Sequence, residues 1–197
     1  MHGDSIKTIG VGRQLLTCTV MCGLAIVIIL LTQQKPYWPT LFSGLSLPYQ
    51  ALIGFTIGGL YWAAVTLIYR FSAGRNSSRH MPEKYRRLDL HGWNPLWMAL
   101  AAGFGEELLF RGALQPIVGI WATSLLFVLA HTRAYSLNGF SKRVLLQGAG
   151  LFAISVAFGF IAKYFGLITA VIVHVSVDMV GLFAIRRALH PQVAAAT

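Results

Sequence analysis

Five ionisable side chains lie in segments of the sequence that are otherwise apolar enough to be membrane-spanning helices. They are Glu106, Glu107, His131, His174 and Asp178. An ionisable group at the centre of a membrane helix costs roughly 2.5–3.5 kcal/mol on insertion scales, so such groups persist mainly where they pair, line a hydrated cavity or do chemistry. Carboxylates and imidazoles are also the usual proton acceptors and donors in catalysis. The five residues therefore predict an active site within a membrane.

The two adjacent glutamates have different predicted roles. On a helix, Glu107 and Arg111 are one turn apart on the same face and can form an ion pair. Glu106 projects about 100° away from that face and has no partner within its own helix. We therefore expect Glu107 to support the structure and Glu106 to take and return protons.

The other three groups lie on two later apolar segments. His131 is near the end of one segment, and His174 and Asp178 are one turn apart on one face of another. At a rise of about 1.5 Å per residue, these groups and Glu106 reach depths that allow them to meet in the cytoplasmic half of the bilayer. The meeting requires that the three helices are neighbours, which the sequence alone does not establish.

The composition indicates an all-α, polytopic membrane protein. Of the 197 residues, 56% are hydrophobic and 11% are charged, and the mean hydropathy is +0.64. Soluble domains average about 25% charged residues. Apolar runs of the length needed to cross a bilayer predict six transmembrane helices in a single integral membrane domain, residues 1–197. The predicted spans cover about residues 15–31, 49–69, 95–114, 117–133, 144–163 and 166–185.

The distribution of positive charge predicts the orientation. The net charge of +10 does not form one patch but collects at the ends of apolar runs, so no nucleic-acid partner is expected. The predicted cytoplasmic side has Lys7, Arg13, Arg70, Arg75, Arg79, Lys84, Arg86, Arg87, Arg133, Lys142, Arg143, Arg186 and Arg187, and the other side has Lys35, Arg111 and Lys163. By the positive-inside rule both termini are cytoplasmic, as in a bacterial inner-membrane protein, and the first span is expected to stay as an anchor.

Two pairs of small residues are expected to lie where helices pack against one another. Cys18 and Cys22 are four residues apart in the first apolar run and are expected to be small packing residues. Gly54 and Gly58 form a G-x-x-x-G pattern in the second span, a weak signal for close helix approach.

Three short motifs occur in order on separate predicted spans. They are E-E-x-x-x-R at 106–111, F-x-x-x-H at 127–131 and H-x-x-x-D at 174–178. This series resembles the CPBP family, which includes the type II CAAX prenyl endopeptidases and the bacterial Abi or bacteriocin-processing membrane proteins. The resemblance covers about residues 95–185, and it implies a catalytic core there.

The resemblance also implies roles for individual residues. Glu106 would be the general base that activates water, with His131 positioning and polarising that water. His174 and Asp178 would stabilise the oxyanion. Many CAAX-processing members have Asn where this chain has Asp178, and an aspartate donates a hydrogen bond only when protonated. An alternative is that Asp178 orients His174, and this departure weakens the case for a prenylated CAAX substrate.

The implied activity is an intramembrane endopeptidase acting on a membrane-associated peptide or protein. Glu107 and Arg111 match the motif and are expected to support the site. Two alternatives remain: a non-catalytic membrane immunity or scaffold protein of the same fold, and a proton-coupled transporter.

No cofactor is expected. Two histidines and carboxylates could hold zinc, but the chain lacks an H-E-x-x-H motif and the possible ligands lie on different helices or faces. If a divalent metal binds, its ligands would be drawn from Glu106, His131, His174 and Asp178.

Overall fold

The structure, a computed structural model, describes residues 9–32, 43–72 and 87–189. Helices take up 84% of these residues, and no strand occurs among them, which confirms the all-α fold class. The helices are α1 (Val11–Thr32), α2 (Leu47–Ser72), α3 (Asn94–Glu107), α4 (Gln115–His131), α5 (Lys142–Tyr164) and α6 (Leu167–Leu189), and a π-helical segment (Leu108–Leu114) joins α3 to α4. Both termini and six of the counted basic residues lie outside the described residues: Lys7, Lys35, Arg75, Arg79, Lys84 and Arg86.

Within the described residues, five helical stretches are long and apolar enough to cross a membrane: Val11–Thr32, Leu47–Ile68, Asn94–His131, Lys142–Tyr164 and Leu167–Leu189. The chain is therefore an integral membrane protein. The third stretch covers the two spans predicted at 95–114 and 117–133, and non-helical backbone at Gly119 divides it. The number of crossings and the orientation of the termini remain predictions.

The third stretch folds back on itself at Gly119. This glycine has φ 79° and ψ 171° inside an otherwise helical run, a backbone conformation that glycine adopts without a Cβ penalty. The rings of Phe110 and Phe127 lie 5.0 Å apart on the two sides of the turn. A straight helix would separate these positions by about 26 Å. The reversal therefore places the end of α4 beside α3.

Glycines allow α6 to pack tightly between α2 and α3. A Cβ at Gly103 of α3 would lie 2.8 Å from the Val175 side chain. A Cβ at Gly54 of α2 would lie 2.9 Å from Ile172, and one at Gly58 would collide with Ser176. The G-x-x-x-G pattern thus serves close packing within the chain, and it fixes the helix that carries His174.

Gln50 holds the beginning of α6. Its side chain is fully buried and donates through Nε2 to the Leu45 carbonyl at 2.7 Å. Its Oε1 accepts from the backbone N–H of Ile168 at 3.1 Å, and its own carbonyl accepts from the Thr169 hydroxyl at 3.1 Å. The first N–H groups of a helix lack partners within the helix, so Gln50 both satisfies α6 and fixes its position.

Helix α1 covers the other side of α3. Ala25 and Ile29 of α1 pack in one apolar cluster with Leu109 and Phe110 of the π-helical segment. Nearer the N-terminus of α1, Cys18 packs against Gly105 of α3. A Cβ added to Gly105 would lie 3.1 Å from the Cys18 Cα atom. Both cysteines are half-buried free thiols, as expected of small packing residues.

Adjacent glycines in α2 provide a matched test of the α2–α6 contact. Gly58→Ala is expected to lower the free energy of unfolding by about 1–3 kcal/mol, because the methyl group overpacks against Ser176. Gly59→Ala is the control, since nothing lies within 4 Å of the Cβ that it adds; it should stabilise the helix by about 0.5–1 kcal/mol. Thermal or denaturant unfolding in detergent measures both variants. Equal stability changes would contradict the packing described for α6.

Candidate active site

Side chains from three helices meet around Glu106. Its Oε2 atom lies 3.4 Å from His131 Nε2 of α4 and 3.8 Å from His174 Nε2 of α6. The same His174 nitrogen lies 3.7 Å from Asp178 Oδ2. The helix adjacency that the depth estimate required is therefore present, and the four predicted residues form one cluster.

Glu107 and Arg111 form the ion pair that their spacing predicted. Arg111 Nη1 lies 3.2 Å from Glu107 Oε1, and the two side chains are only 1% and 0% exposed. Removal of either partner would leave an uncompensated charge in the protein interior, which is strongly destabilising. The ion pair therefore stabilises the junction between α3 and the π-helical segment.

The same glutamate also binds a catalytic candidate on another helix. Nδ1 of His174 lies 2.7 Å from Glu107 Oε1, the shortest polar contact in the cluster. The sequence placed Asp178 beside His174 because the two are one turn apart, but Asp178 is the more distant carboxylate. The Glu107–His174 contact could not be predicted from residue spacing, since it depends on how α6 packs against α3.

Arg111 is held in turn by α5. Its Nη2 atom donates to Ser155, at 3.1 Å to the backbone carbonyl and 3.0 Å to the hydroxyl. Three phenylalanine rings surround the guanidinium, with centroids 4.9 to 5.9 Å from Cζ. Ser155 is fully buried. Its contact with Arg111 could not be predicted from the sequence, because a single serine in an apolar helix has no characteristic spacing to another polar residue.

His131 has a fixed ring orientation. Its Nδ1–H donates to the Phe127 carbonyl at 2.9 Å, because a carbonyl oxygen can only accept. The two rings stack with centroids 4.1 Å apart. Phe127 thus holds the imidazole through its carbonyl oxygen and through its ring. In this orientation Nε2 of His131 faces Glu106.

The cluster is more open on one side than on the other. The side chains of Glu106, His131 and His174 are 13%, 15% and 9% exposed, whereas Asp178 is 32% exposed. The Glu107 and Arg111 side chains are buried. The cluster is therefore most accessible to solvent beside Asp178.

The donor geometry does not form a metal site in the part of the chain that the structure describes. No group of three or more His, Cys, Asp or Glu side chains there has the arrangement needed to hold a metal ion. Two histidines and two carboxylates are nevertheless close together.

Comparison with known proteins places these residues in context. Residues 90–180 match the family described as type II CAAX prenyl endopeptidase Rce1-like. A stretch of 41 residues is 44% identical to the uncharacterized protein YpbD of Bacillus subtilis strain 168 and covers 21% of this chain. The match spans only about a fifth (22%) of the length of that relative. No solved structure matches the chain.

Proposed function

Because residues 90–180 belong to the Rce1-like family of type II CAAX prenyl endopeptidases, we propose that this integral membrane protein hydrolyses a peptide bond of a membrane-associated peptide or protein. The observation that carries the proposal is the convergence of four residues from three helices, with separations of 3.4 to 3.8 Å. These residues are Glu106, His131, His174 and Asp178. Two carboxylates and two imidazoles at this distance supply a base and a positively charged partner for acyl transfer.

In the proposed reaction, Glu106 and His131 activate water. The Nδ1–H of His131 is engaged by Phe127, so in the neutral ring Nε2 is an acceptor. A water that donates one hydrogen to Glu106 and one to His131 directs its oxygen lone pair at the scissile carbonyl. As the water oxygen bonds to the carbonyl carbon, its proton passes to Glu106. The same proton then goes to the leaving nitrogen when the C–N bond breaks.

His174 stabilises the oxyanion in this reaction. A ring that donates from Nδ1 to Glu107 can also donate from Nε2 when both nitrogens are protonated. The carboxylates of Glu106, Glu107 and Asp178 lie within 2.7 to 3.8 Å of the ring nitrogens and stabilise that positive charge. The Nε2–H then meets the negative charge that develops on the carbonyl oxygen, and Asp178 acts through His174.

The substrate reaches the site from the side of Asp178. The positive-inside distribution of Lys and Arg supports cytoplasmic termini and a bacterial inner membrane. On that orientation the site opens in the cytoplasmic half of the bilayer. The substrate is therefore a peptide or protein segment at the cytoplasmic membrane surface.

Profiling of protein N-termini in native membranes tests this function. Membranes from cells with the wild-type chain are compared with membranes from cells that lack it. New N-termini that occur only with the wild-type chain would identify both the activity and the substrate. Identical profiles at matched growth and expression would contradict a peptidase.

Metal removal is expected to leave cleavage unchanged. The reason is that Glu106 performs the proton transfers, and the described donors do not form a metal-binding group. Purified protein in detergent is treated with a chelator, assayed on the identified substrate, and analysed for zinc before and after treatment. Stoichiometric zinc in the untreated protein, together with activity that is lost on chelation and restored by zinc, would contradict this prediction.

A further inference from the structure

Helix α5 carries none of the four residues proposed to act in catalysis, yet one of its side chains contacts the site. The ring of Phe158 lies 5.1 Å from the imidazole ring of His174, measured between centroids, and the two planes are inclined by 36°. Phe158 is buried and packs in an apolar cluster with Ala170 and Val173 of α6. The α6 residues around His174 therefore hold the Phe158 ring in a fixed position beside the imidazole.

The same aromatic ring also lies beside a permanent cation. Cζ of Arg111 is 5.6 Å from the centroid of the Phe158 ring, and the Arg111 side chain is buried. A cation within about 6 Å of an aromatic face is attracted by the ring quadrupole, and the attraction is larger where water is excluded. Phe158 thus contacts both the guanidinium and the imidazole that surround Glu107.

The hydrogen bond from His174 to Glu107 does not fix the imidazole completely. It joins Nδ1 to Oε1 at 2.7 Å and lies at one edge of the ring. The imidazole can therefore still rotate about the line that joins these two atoms. A second ring packed beside it restricts that rotation, and the rotation determines where Nε2 points.

We propose that Phe158 is a positioning residue for oxyanion stabilisation. Its ring stabilises the positive charge of His174 and fixes the tilt of the imidazole, so that the Nε2–H meets the carbonyl oxygen. Phe158 is buried, and it acts on the substrate only through His174. The inference rests on the proposed peptidase function. A residue that only fills space needs apolar volume, whereas this role needs the electron density of an aromatic face.

Fluorinated phenylalanines at position 158 separate these two roles. Fluorine withdraws electron density from the face of the ring and changes its shape little, so a series with one, two or three ring fluorines weakens cation–π attraction in steps. On the substrate identified by N-terminal profiling, kcat should fall with each fluorine and reach a loss of about ten-fold with three, the equivalent of one desolvated cation–π contact. KM should not change, because the buried ring does not contact the substrate.

The same series at Phe160 is the matched control. Phe160 lies two residues further along α5, and its ring pairs with the rings of Trp121 at 6.3 Å and Tyr164 at 6.1 Å. Fluorination there should leave kcat and KM unchanged. An active wild type whose kcat does not respond to fluorination of Phe158, or responds equally at Phe160, would overturn the role of Phe158 and leave the peptidase function intact.

A measurement without substrate distinguishes this proposal from the peptidase function. Reversible unfolding in detergent compares Phe158 with its trifluorinated form, in the wild-type chain and in His174→Gln. Glutamine cannot carry the positive charge, so fluorination should lower the melting temperature more in the wild-type chain than in His174→Gln. Equal shifts in the two backgrounds would overturn the proposal, whether or not the chain cleaves peptides. A wild type that cleaves nothing would contradict the peptidase function, and with it the proposed effect of Phe158 on the oxyanion.

Discussion

A chain with Glu106→Gln is expected to fold and insert normally but to lose peptide-bond cleavage by about 10²–10⁴-fold, the usual contribution of a general base. Glutamine keeps the shape of the side chain and can still contact His131, which lies 3.4 Å from the carboxylate in the native protein. It cannot take a proton from water. The loss therefore isolates proton transfer from packing.

An acid-to-amide change outside the cluster provides the control. Asp89 lies in the segment before α3, and its side chain is 2.9 Å from Nδ1 of His91. This hydrogen bond holds the pKa of Asp89 below its ordinary value, so the residue is ionised at neutral pH. Asp89→Asn thus removes one negative charge from the chain, and it should leave cleavage unchanged.

N-terminal profiling of native membranes compares the wild type, Glu106→Gln, Asp89→Asn and cells without the chain. The N-termini that depend on the wild type should persist with Asp89→Asn and disappear with Glu106→Gln. If Glu106→Gln gives the wild-type profile and restores the phenotype of cells without the chain, the protein is a non-catalytic immunity or scaffold protein. If no profile changes but Glu106→Gln abolishes a proton-dependent flux, the transporter alternative holds.

Local spacing predicted the features that depend on one helix. The pairing of Glu107 with Arg111 follows from a separation of one turn, and the structure shows it at 3.2 Å. The all-α class follows from a composition that only membrane helices explain. The ion-pair prediction uses a distance of a few residues, over which helix geometry fixes the outcome.

Contacts between helices were predicted only in part. Similar depth in the bilayer indicated that Glu106, His131 and His174 could meet, but depth does not determine which helices are neighbours. The reversal between the third and fourth predicted spans lies at Gly119, whose backbone is non-helical, a few residues beyond the boundary predicted between 114 and 117.

The support of His174 could not be predicted from sequence at all. Asp178 is its neighbour in the sequence, yet Glu107 binds it more closely, at 2.7 Å. That contact requires the close approach of α6 to Gly103. Small residues in an apolar helix permit many packings, so their presence does not identify the partner helix.

Arg111→Met is expected to destabilise the protein strongly. It removes the guanidinium from Glu107 and the two hydrogen bonds to Ser155, and it leaves a fully buried carboxylate with His174 alone. Removal of one partner from a buried ion pair typically costs about 3–5 kcal/mol. Reversible unfolding in detergent measures this loss. Arg143→Met is the matched control, because Arg143 is exposed at the beginning of α5, and it should change stability by no more than about 0.5 kcal/mol.

The double variant Glu107→Gln/Arg111→Met distinguishes the structural role of the pair from its role in the site. It should recover much of the lost stability, because no unpaired charge remains buried. Cleavage should nevertheless stay roughly 10²-fold or more below the wild type, since a carboxylate that holds a catalytic histidine matters at least that much where it has been measured. The neutral amide still accepts from Nδ1 of His174, but it no longer stabilises the positive ring that donates to the oxyanion. A double variant that regains both stability and cleavage would show that Glu107 contributes packing alone, and His174 would then need another source of its charge.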